Sequence, residues 1–279
     1  MKKISRRSFL AAAGLSVAAL ALTACGGSSA STASSVASSA ASSEAASTSA
    51  AAGELTTVEA GKLTMATNAA FPPYEMTTDA GEFEGIDIET AQAIADKLGL
   101  ELQIDDMDFD AALLSVQQGK ADIVMAGVTV TDERKAVMDF SDSYATGIQS
   151  VIVPEGSDIA SPDDLAGKKI GTQRGTTGYI YCSDDFGDDA VVAYDDGLTA
   201  VQALKNGQVD AVVIDNAPAQ EFVAANPGLV ILDTSYAEED YAIGLAKGSA
   251  LEDAVNAALE ELKADGTLQS IVDKYITAE

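Results

Sequence analysis

From Leu63 onward, short runs of β-forming residues alternate with stretches whose apolar positions recur at helical spacing. Leu63-Thr64-Met65-Ala66 predicts a strand, and Asn68-Ala69-Ala70-Phe71-Pro72-Pro73-Tyr74 behind it is rich in turn formers. Ile86, Ala91, Ile94, Ala95 and Leu98 share one helical face, and Gly99 marks a C-terminal stop. Residues 100–104 alternate as a strand, 110–118 predict a short helix, and 121–126 read as a buried strand. Ser161-Pro162-Asp163-Asp164-Leu165 has a capping residue, an early proline and early acids, which favour another short helix. Residues 169–173 form a strand, Gly175-Thr176-Thr177-Gly178 leads into a helix at Tyr179, and 198–205 form a further helix. Leu251, Val255, Ala258, Leu259 and Leu262 make one apolar stripe, and Ile271, Val272 and Ile276 a second helix face.

Such alternation predicts an α/β fold with mostly parallel sheets covered by helices. A partial echo suggests two lobes. Gly119-Lys120-Ala121-Asp122-Ile123-Val124-Met125 parallels Gly207-Gln208-Val209-Asp210-Ala211-Val212-Val213, 88 residues later (207 − 119), each copy behind a predicted helix. A common helix-to-strand join explains the match equally well. Ligands of open α/β sheets sit beyond the carboxyl ends of strands. Here those ends are Ala126-Gly127-Val128-Thr129 and Ile214-Asp215-Asn216.

The pattern before Leu63 is different. Lys2, Lys3, Arg6 and Arg7 precede an apolar stretch over residues 9–22, too short for a comfortable membrane span and suited to a secretory signal. Leu22-Thr23-Ala24-Cys25 resembles a bacterial lipobox, which implies cleavage before Cys25 and a lipid on its thiol. Ser5-Arg6-Arg7-Ser8-Phe9-Leu10 is also similar to a twin-arginine export signal. Residues 1–24 thus predict a lipoprotein signal peptide. Residues 25–55, almost wholly Ser, Ala and Thr, predict a disordered tether.

Charge removes several function classes. Among 279 residues, 44 are acidic and 16 basic, for a formal net charge of −28, which opposes binding to nucleic-acid phosphates. The chain has no His, so His-based zinc sites and triads are out of reach, and neither a metal nor a cofactor is expected. Cys25 and Cys182 lie in segments of unlike composition, which argues against a mutual disulfide; Cys182 reads as a core residue or an unpaired thiol. The acidic runs around Asp105 and Asp184 read as solvated faces, the second lacking the ligand alternation of a calcium loop.

Gly85-Ile86-Asp87-Ile88-Glu89 resembles the signature of family 3 bacterial extracellular solute-binding proteins, the polar amino acid binders of ABC transporters. Thr90 departs from the aliphatic residue that usually follows. Further blocks in family order are 68–74, 127–134, 137–141, 175–177, 212–215 and 264–267, so the resemblance spans residues 63–276. It implies a two-lobed, type II periplasmic-binding fold with two hinge crossings, near residues 145–149 and 234–239. Lobe 1 would comprise residues 56–147 and 234–279, and lobe 2 residues 148–233. It further implies a monomer outside the cytoplasm, held to the membrane at Cys25, that closes on a free amino acid, polar or uncharged, and presents it to permease subunits.

The residues agree with that chemistry. An amino acid buried between lobes needs an opposite charge at each end. Past the signal only Arg134 and Arg174 remain as arginines, both in candidate ligand loops, and a guanidinium fork matches a carboxylate. The resemblance gives the ligand carboxylate to Arg134, with help from amides near Thr129 and Thr177. A surface ion pair with Asp132 or Glu133 is the alternative. The resemblance gives the ammonium to Asp215, the Gly127 carbonyl and the Thr129 hydroxyl, although Asp215 could equally cap the following helix. Phe71 and Phe109 would pack on the ligand side chain or simply fill core. Asn68 would contact the distal group and argues against a lysine or arginine ligand. Arg174 would meet a polar distal group or form a surface ion pair. Ala126, Gln173 and Thr176 complete the candidate set. Two other readings stay open: a dehydratase acting on cyclic acids, and a protein presenting ligand to a receptor.

Overall fold

The computed structural model describes residues 55–276, so the lipobox and tether expectations lie outside the described residues. Two sheets organise the two lobes. In the first, the strand Lys62–Thr67 runs parallel to Glu101–Asp106 on one side and to Ile123–Val124 on the other. Gly244–Ala246 and Met138–Phe140 extend it antiparallel. In the second, Ile170–Gln173 lies parallel to Val191–Tyr194 and Ala211–Asp215. The long strand Ala145–Pro154 then pairs antiparallel with Ala211–Asp215, Leu229–Ile231 and Ala237–Tyr241. Strands joined through helices are therefore parallel, as the alternation predicts. Antiparallel partners enter where the chain passes between lobes and returns.

Those passages are the strands Ala145–Pro154 and Ala237–Tyr241, which pair with each other from Ala145↔Tyr241 to Gln149↔Ala237. Two hydrogen-bonded crossing strands thus join the lobes side by side.

The internal echo is structural. Gly119 and Gly207 both take left-handed backbone angles, φ 64° and 67°, after the helices Phe109–Gln117 and Gly197–Lys205. Asp122 Oδ2 accepts from the Thr64 amide at 2.8 Å, and Asp210 Oδ2 accepts from the Lys169 amide at 2.7 Å. In each copy the aspartate staples the incoming strand to its parallel neighbour by one charge-assisted bond.

Helix bounds follow the apolar pattern closely. Ile86–Leu98 ends at Gly99 in the left-handed region, with Ile86, Ala91, Ile94 and Ala95 fully buried. Residues 121–126 are all buried, yet only Ile123–Val124 is a strand, because the chain turns early into the loop that carries Gly127 and Thr129. The run at Ser161 becomes the 3-10 turn Pro162–Leu165, closed by a reciprocal capping box between Ser161 and Asp164. Among the described residues, no helix is long and apolar enough to cross a membrane.

Candidate functional site

Between the lobes lies a cavity of about 20 Å³. Its lobe 1 wall comes from Asn68, Phe71, Phe109, Ala126, Gly127, Thr129 and Arg134, and its lobe 2 wall from Gln173, Thr176, Thr177 and Asp215. Eleven of the twelve binding residues expected from the sequence thus meet around one space, with Glu75 added. The lobes are closed on each other. Gln173 Nε2 donates to Asn68 Oδ1 at 2.8 Å, and the Thr129 and Thr177 hydroxyls are 3.4 Å apart.

Arg134 is set by the short helix Asp132–Lys135, where the Thr131 hydroxyl accepts from the Arg134 amide. Its guanidinium donates to the Thr129 carbonyl at 2.7 Å and, across the lobe boundary, to the Gly175 carbonyl at 3.2 Å. It also lies 5.3 Å from the centre of the Phe109 ring. Asp132 and Glu133 face solvent, and Arg134 forms no ion pair with any described residue. The surface-pair alternative is thereby overturned, because the one-turn helix aims the acids outward and the arginine inward. The result is a buried cation held by neutral carbonyls, with burial depressing its pKa.

Asp215 ends the strand Ala211–Asp215 and precedes the helix Asn216–Ala225, yet its side chain makes no cap bond. Instead the carboxylate accepts from Gln149 Nε2 at 2.8 Å and from the Tyr241 hydroxyl. Burial pushes its pKa up to about 7, against these two hydrogen bonds, which favour the charged form. A cation delivered to that carboxylate would restore the charged form.

Arg174 is a correction to its place among the candidates. It is exposed, outside the cavity, and pairs with Asp195 at 3.7 Å. The strand Ile170–Gln173 turns Gln173 into the cleft, so the next side chain faces the other way. Asn68 does line the cavity, but its amide is engaged: Nδ2 donates to the Met107 carbonyl and Oδ1 accepts from Gln173. It thereby joins the two lobes through Gln173.

Four residues missed in the sequence complete the surroundings. Glu239 Oε2 accepts from Thr177 Oγ1 at 2.9 Å, Gln149 Nε2 at 3.0 Å and Thr129 Oγ1 at 3.2 Å. This carboxylate, from the returning strand, joins both lobes through hydroxyls. Tyr241 stacks edge-on against Tyr74 and supplies the hydroxyl on Asp215. Gln149 and Glu239 lie within the two predicted crossings, a usable signal; Glu75 follows directly on the Phe71-to-Tyr74 block.

The signature motif braces the loop that follows Ala126. Asp87 Oδ2 accepts from the Gly127 amide at 3.0 Å and from the Tyr144 hydroxyl at 2.8 Å, fixing the loop that carries Gly127 and Thr129. Gly85 has φ 132°, and a Cβ there would lie 2.2 Å from the Tyr74 carbonyl oxygen, so only glycine fits.

With this geometry in place, comparison with known proteins is decisive. Residues 63–278 match the model of bacterial extracellular solute-binding proteins, family 3. The chain belongs to this family. It is 34% identical over 226 residues to the L-cystine-binding protein TcyJ of Escherichia coli, covering 79% of this chain and 85% of that protein. It is 33% identical over 276 residues to a probable histidine-binding protein of Neisseria gonorrhoeae, covering 96% and 95%. Among solved structures, the arginine-, lysine-, histidine-binding protein ArtJ of Geobacillus stearothermophilus superimposes with a TM-score of 0.75 at 34% identity, over 78% of this chain and 96% of that one. The family sets this chain outside the cytoplasm as a solute-binding protein with the type II two-lobed fold. The relatives bind amino acids and are binding proteins rather than enzymes.

Proposed function

We propose that the chain is the substrate-binding component of an amino acid ABC importer. The observation that carries this reading is Arg134: a buried guanidinium without an ion pair, lining the same cavity as a buried carboxylate, Asp215, on the opposite lobe. A zwitterion supplies the missing partner of each. Arg134 takes the ligand carboxylate in a bidentate grip, assisted by Thr129, Thr177 and the amides at the start of the helix Thr177–Phe186. Asp215 takes the ammonium, and Phe71 and Phe109 pack on the side chain.

A cavity of about 20 Å³ holds little more than a water molecule, so an amino acid enters only with the lobes apart. Closure then brings the ammonium to Asp215 and the carboxylate to Arg134 together, and the ligand stabilises the closed form that permease subunits recognise. The Asn68–Gln173 bond latches that form. Lobe 1 is assigned residues 56–147 and 234–279, and lobe 2 residues 148–233. Residues 1–24 are assigned to export and residues 25–55 to a tether from a lipid on Cys25, with the folded part a monomer.

Calorimetry across the common amino acids and cystine tests the reading: at least one binds tightly, and silence across the panel overturns it. A dehydratase reading draws on the raised pKa of Asp215. It predicts turnover of a cyclohexadienyl acid; the binding reading predicts none.

A further inference from the structure

Two fully buried carboxyl groups, Glu75 and Asp87, meet beside the loop that carries Gly127 and Thr129. The backbone forces them together. The Ile86 amide donates to the Pro73 carbonyl at 3.1 Å, and the Asp87 amide to the Tyr74 carbonyl at 2.8 Å. The start of the helix Ile86–Leu98 is thereby tied to the segment entering the strand Glu75–Thr77, which is itself fixed by pairing Glu75 opposite Phe71. The two side chains share a hydrogen bond.

Their oxygens can be accounted for one by one. Asp87 Oδ2 accepts from the Gly127 amide at 3.0 Å and from the Tyr144 hydroxyl at 2.8 Å. Asp87 Oδ1 and both Glu75 oxygens receive no donor from any other described group. Two carboxylates can only accept, so the bond between them requires a proton on one. Glu239 differs: its Oε1 is also bare, but three donors reach its Oε2, so it is bonded without a proton. The charges acting on Glu75 are acidic: Asp87, then Asp215 from across the cleft and Asp106 from the strand Glu101–Asp106. Tyr74 and Tyr144, the neighbouring hydroxyls, are held well above the ordinary tyrosine range. Arg134, in the same cavity wall, is turned to the Thr129 and Gly175 carbonyls.

We propose that Glu75 and Asp87 hold one proton between them, and that Glu75 is thereby a positioning residue for the loop at Gly127. Glu75 keeps the proton and donates it to Asp87 Oδ1. Asp87 stays the anion, and its Oδ2 grips the Gly127 amide. Burial, then Asp87, raise the Glu75 carboxyl well above its ordinary range; burial raises Asp87 only to about 6, because Gly127, Tyr144 and Glu75 all donate to it. The folded chain therefore keeps a proton that the unfolded chain releases above the ordinary 4.5, and the brace is present at low pH and lost as pH rises through the raised value. Without the proton, two desolvated anions lie side by side and Asp87 must give way, loosening the loop. The bearing of this brace on ligand capture rests on the amino acid reading, since Gly127 and Thr129 line the cavity.

Two ligand-free measurements on the full chain test the proposal, so it can fail separately from that reading. Infrared spectroscopy at about pH 8, above the values of about 7 for Asp215 and about 6 for Asp87, should show a protonated carboxyl band that Glu75→Gln removes. Amide hydrogen exchange by NMR then reads the grip itself, with the Thr64 amide, held by Asp122 in the same lobe, as the internal standard. Relative to Thr64, protection of the Gly127 amide should fall by about tenfold or more between about pH 7 and 10 in the parent. Glu75→Gln, whose amide donates at every pH, should change by less than about threefold, and Glu75→Leu, which has no donor, should be weakly protected throughout. A parent without the band, or with pH-independent protection at Gly127, overturns the proposal. So does a Glu75→Gln variant that behaves like Glu75→Leu. If the Glu75 variants do not fold, the band is sought in Asp215→Asn, where its absence overturns the proposal and its presence, with the parent's exchange profile, upholds it.

Discussion

Replacing Arg134 by alanine removes the one buried cation among the described residues from a cavity that would still have to accept a carboxylate. Breaking a buried ion pair from one side costs about 3–5 kcal/mol, because the remaining charge is left desolvated. A second route gives a similar figure: two charge-assisted hydrogen bonds from the guanidinium fork are worth about 1.5–3 kcal/mol each. At roughly 1.4 kcal/mol per decade, affinity should fall by about two to four decades. The side chain also ties Thr129 to Gly175 across the lobes, so the closed form loses a contact as well. Arg134→Lys keeps the charge but cannot reproduce the fork, and should fall between parent and alanine variant. Titration calorimetry with the tightest amino acid reads the effect directly. A loss below about tenfold for Arg134→Ala would remove this residue from the carboxylate role.

Three further outcomes follow from other parts of the fold. Asp215 has a pKa of about 7 in the folded chain against an ordinary 3.8, so the folded form binds more protons between those values. Its contribution to stability is present at low pH and is lost as pH rises toward 7; Asp87, at about 6, acts in the same direction. Ligand ammonium selects the charged form of Asp215, so affinity should climb from about pH 5 to 8, and a flat or falling profile would contradict the assignment. Gly85→Ala should destabilise the fold by roughly 3 kcal/mol, lowering Tm by about 6–12 °C in thermal unfolding, because its Cβ meets the Tyr74 carbonyl; a Tm within about 2 °C of the parent would refute the clash. The Cys182 thiol is fully buried and pushed up to about 12 by desolvation, so a thiol reagent should label it only after denaturant is added.

How far the sequence carries can be judged from particular residues. Apolar spacing located the helices at 86–98 and 198–205 because a helical face is a local property, readable wherever one side must be buried. The repeated Gly-x-x-Asp join was legible for the same reason, although only the fold revealed that Asp122 and Asp210 each staple the incoming strand. The scarcity of arginine pointed at Arg134, since a burial site for a carboxylate favours a guanidinium over the commoner lysine.

What the chain could not disclose alone is direction and long-range company. Arg134 and Arg174 look alike along the sequence, yet a one-turn helix turns the first inward while the end of a strand turns the second out to Asp195. Asp87 stands out in the signature motif, but its task, holding the Gly127 amide 40 residues away, exists only once the first sheet has formed. Glu239 and Gln149 become neighbours because two crossing strands pair, and Glu75 faces the cavity because its register is set opposite Phe71. Element type is decided by near neighbours and their periodicity. Which side chains share a desolvated space, and which of their charges find partners there, is decided by contacts between segments far apart in the chain, and those belong to the tertiary structure alone.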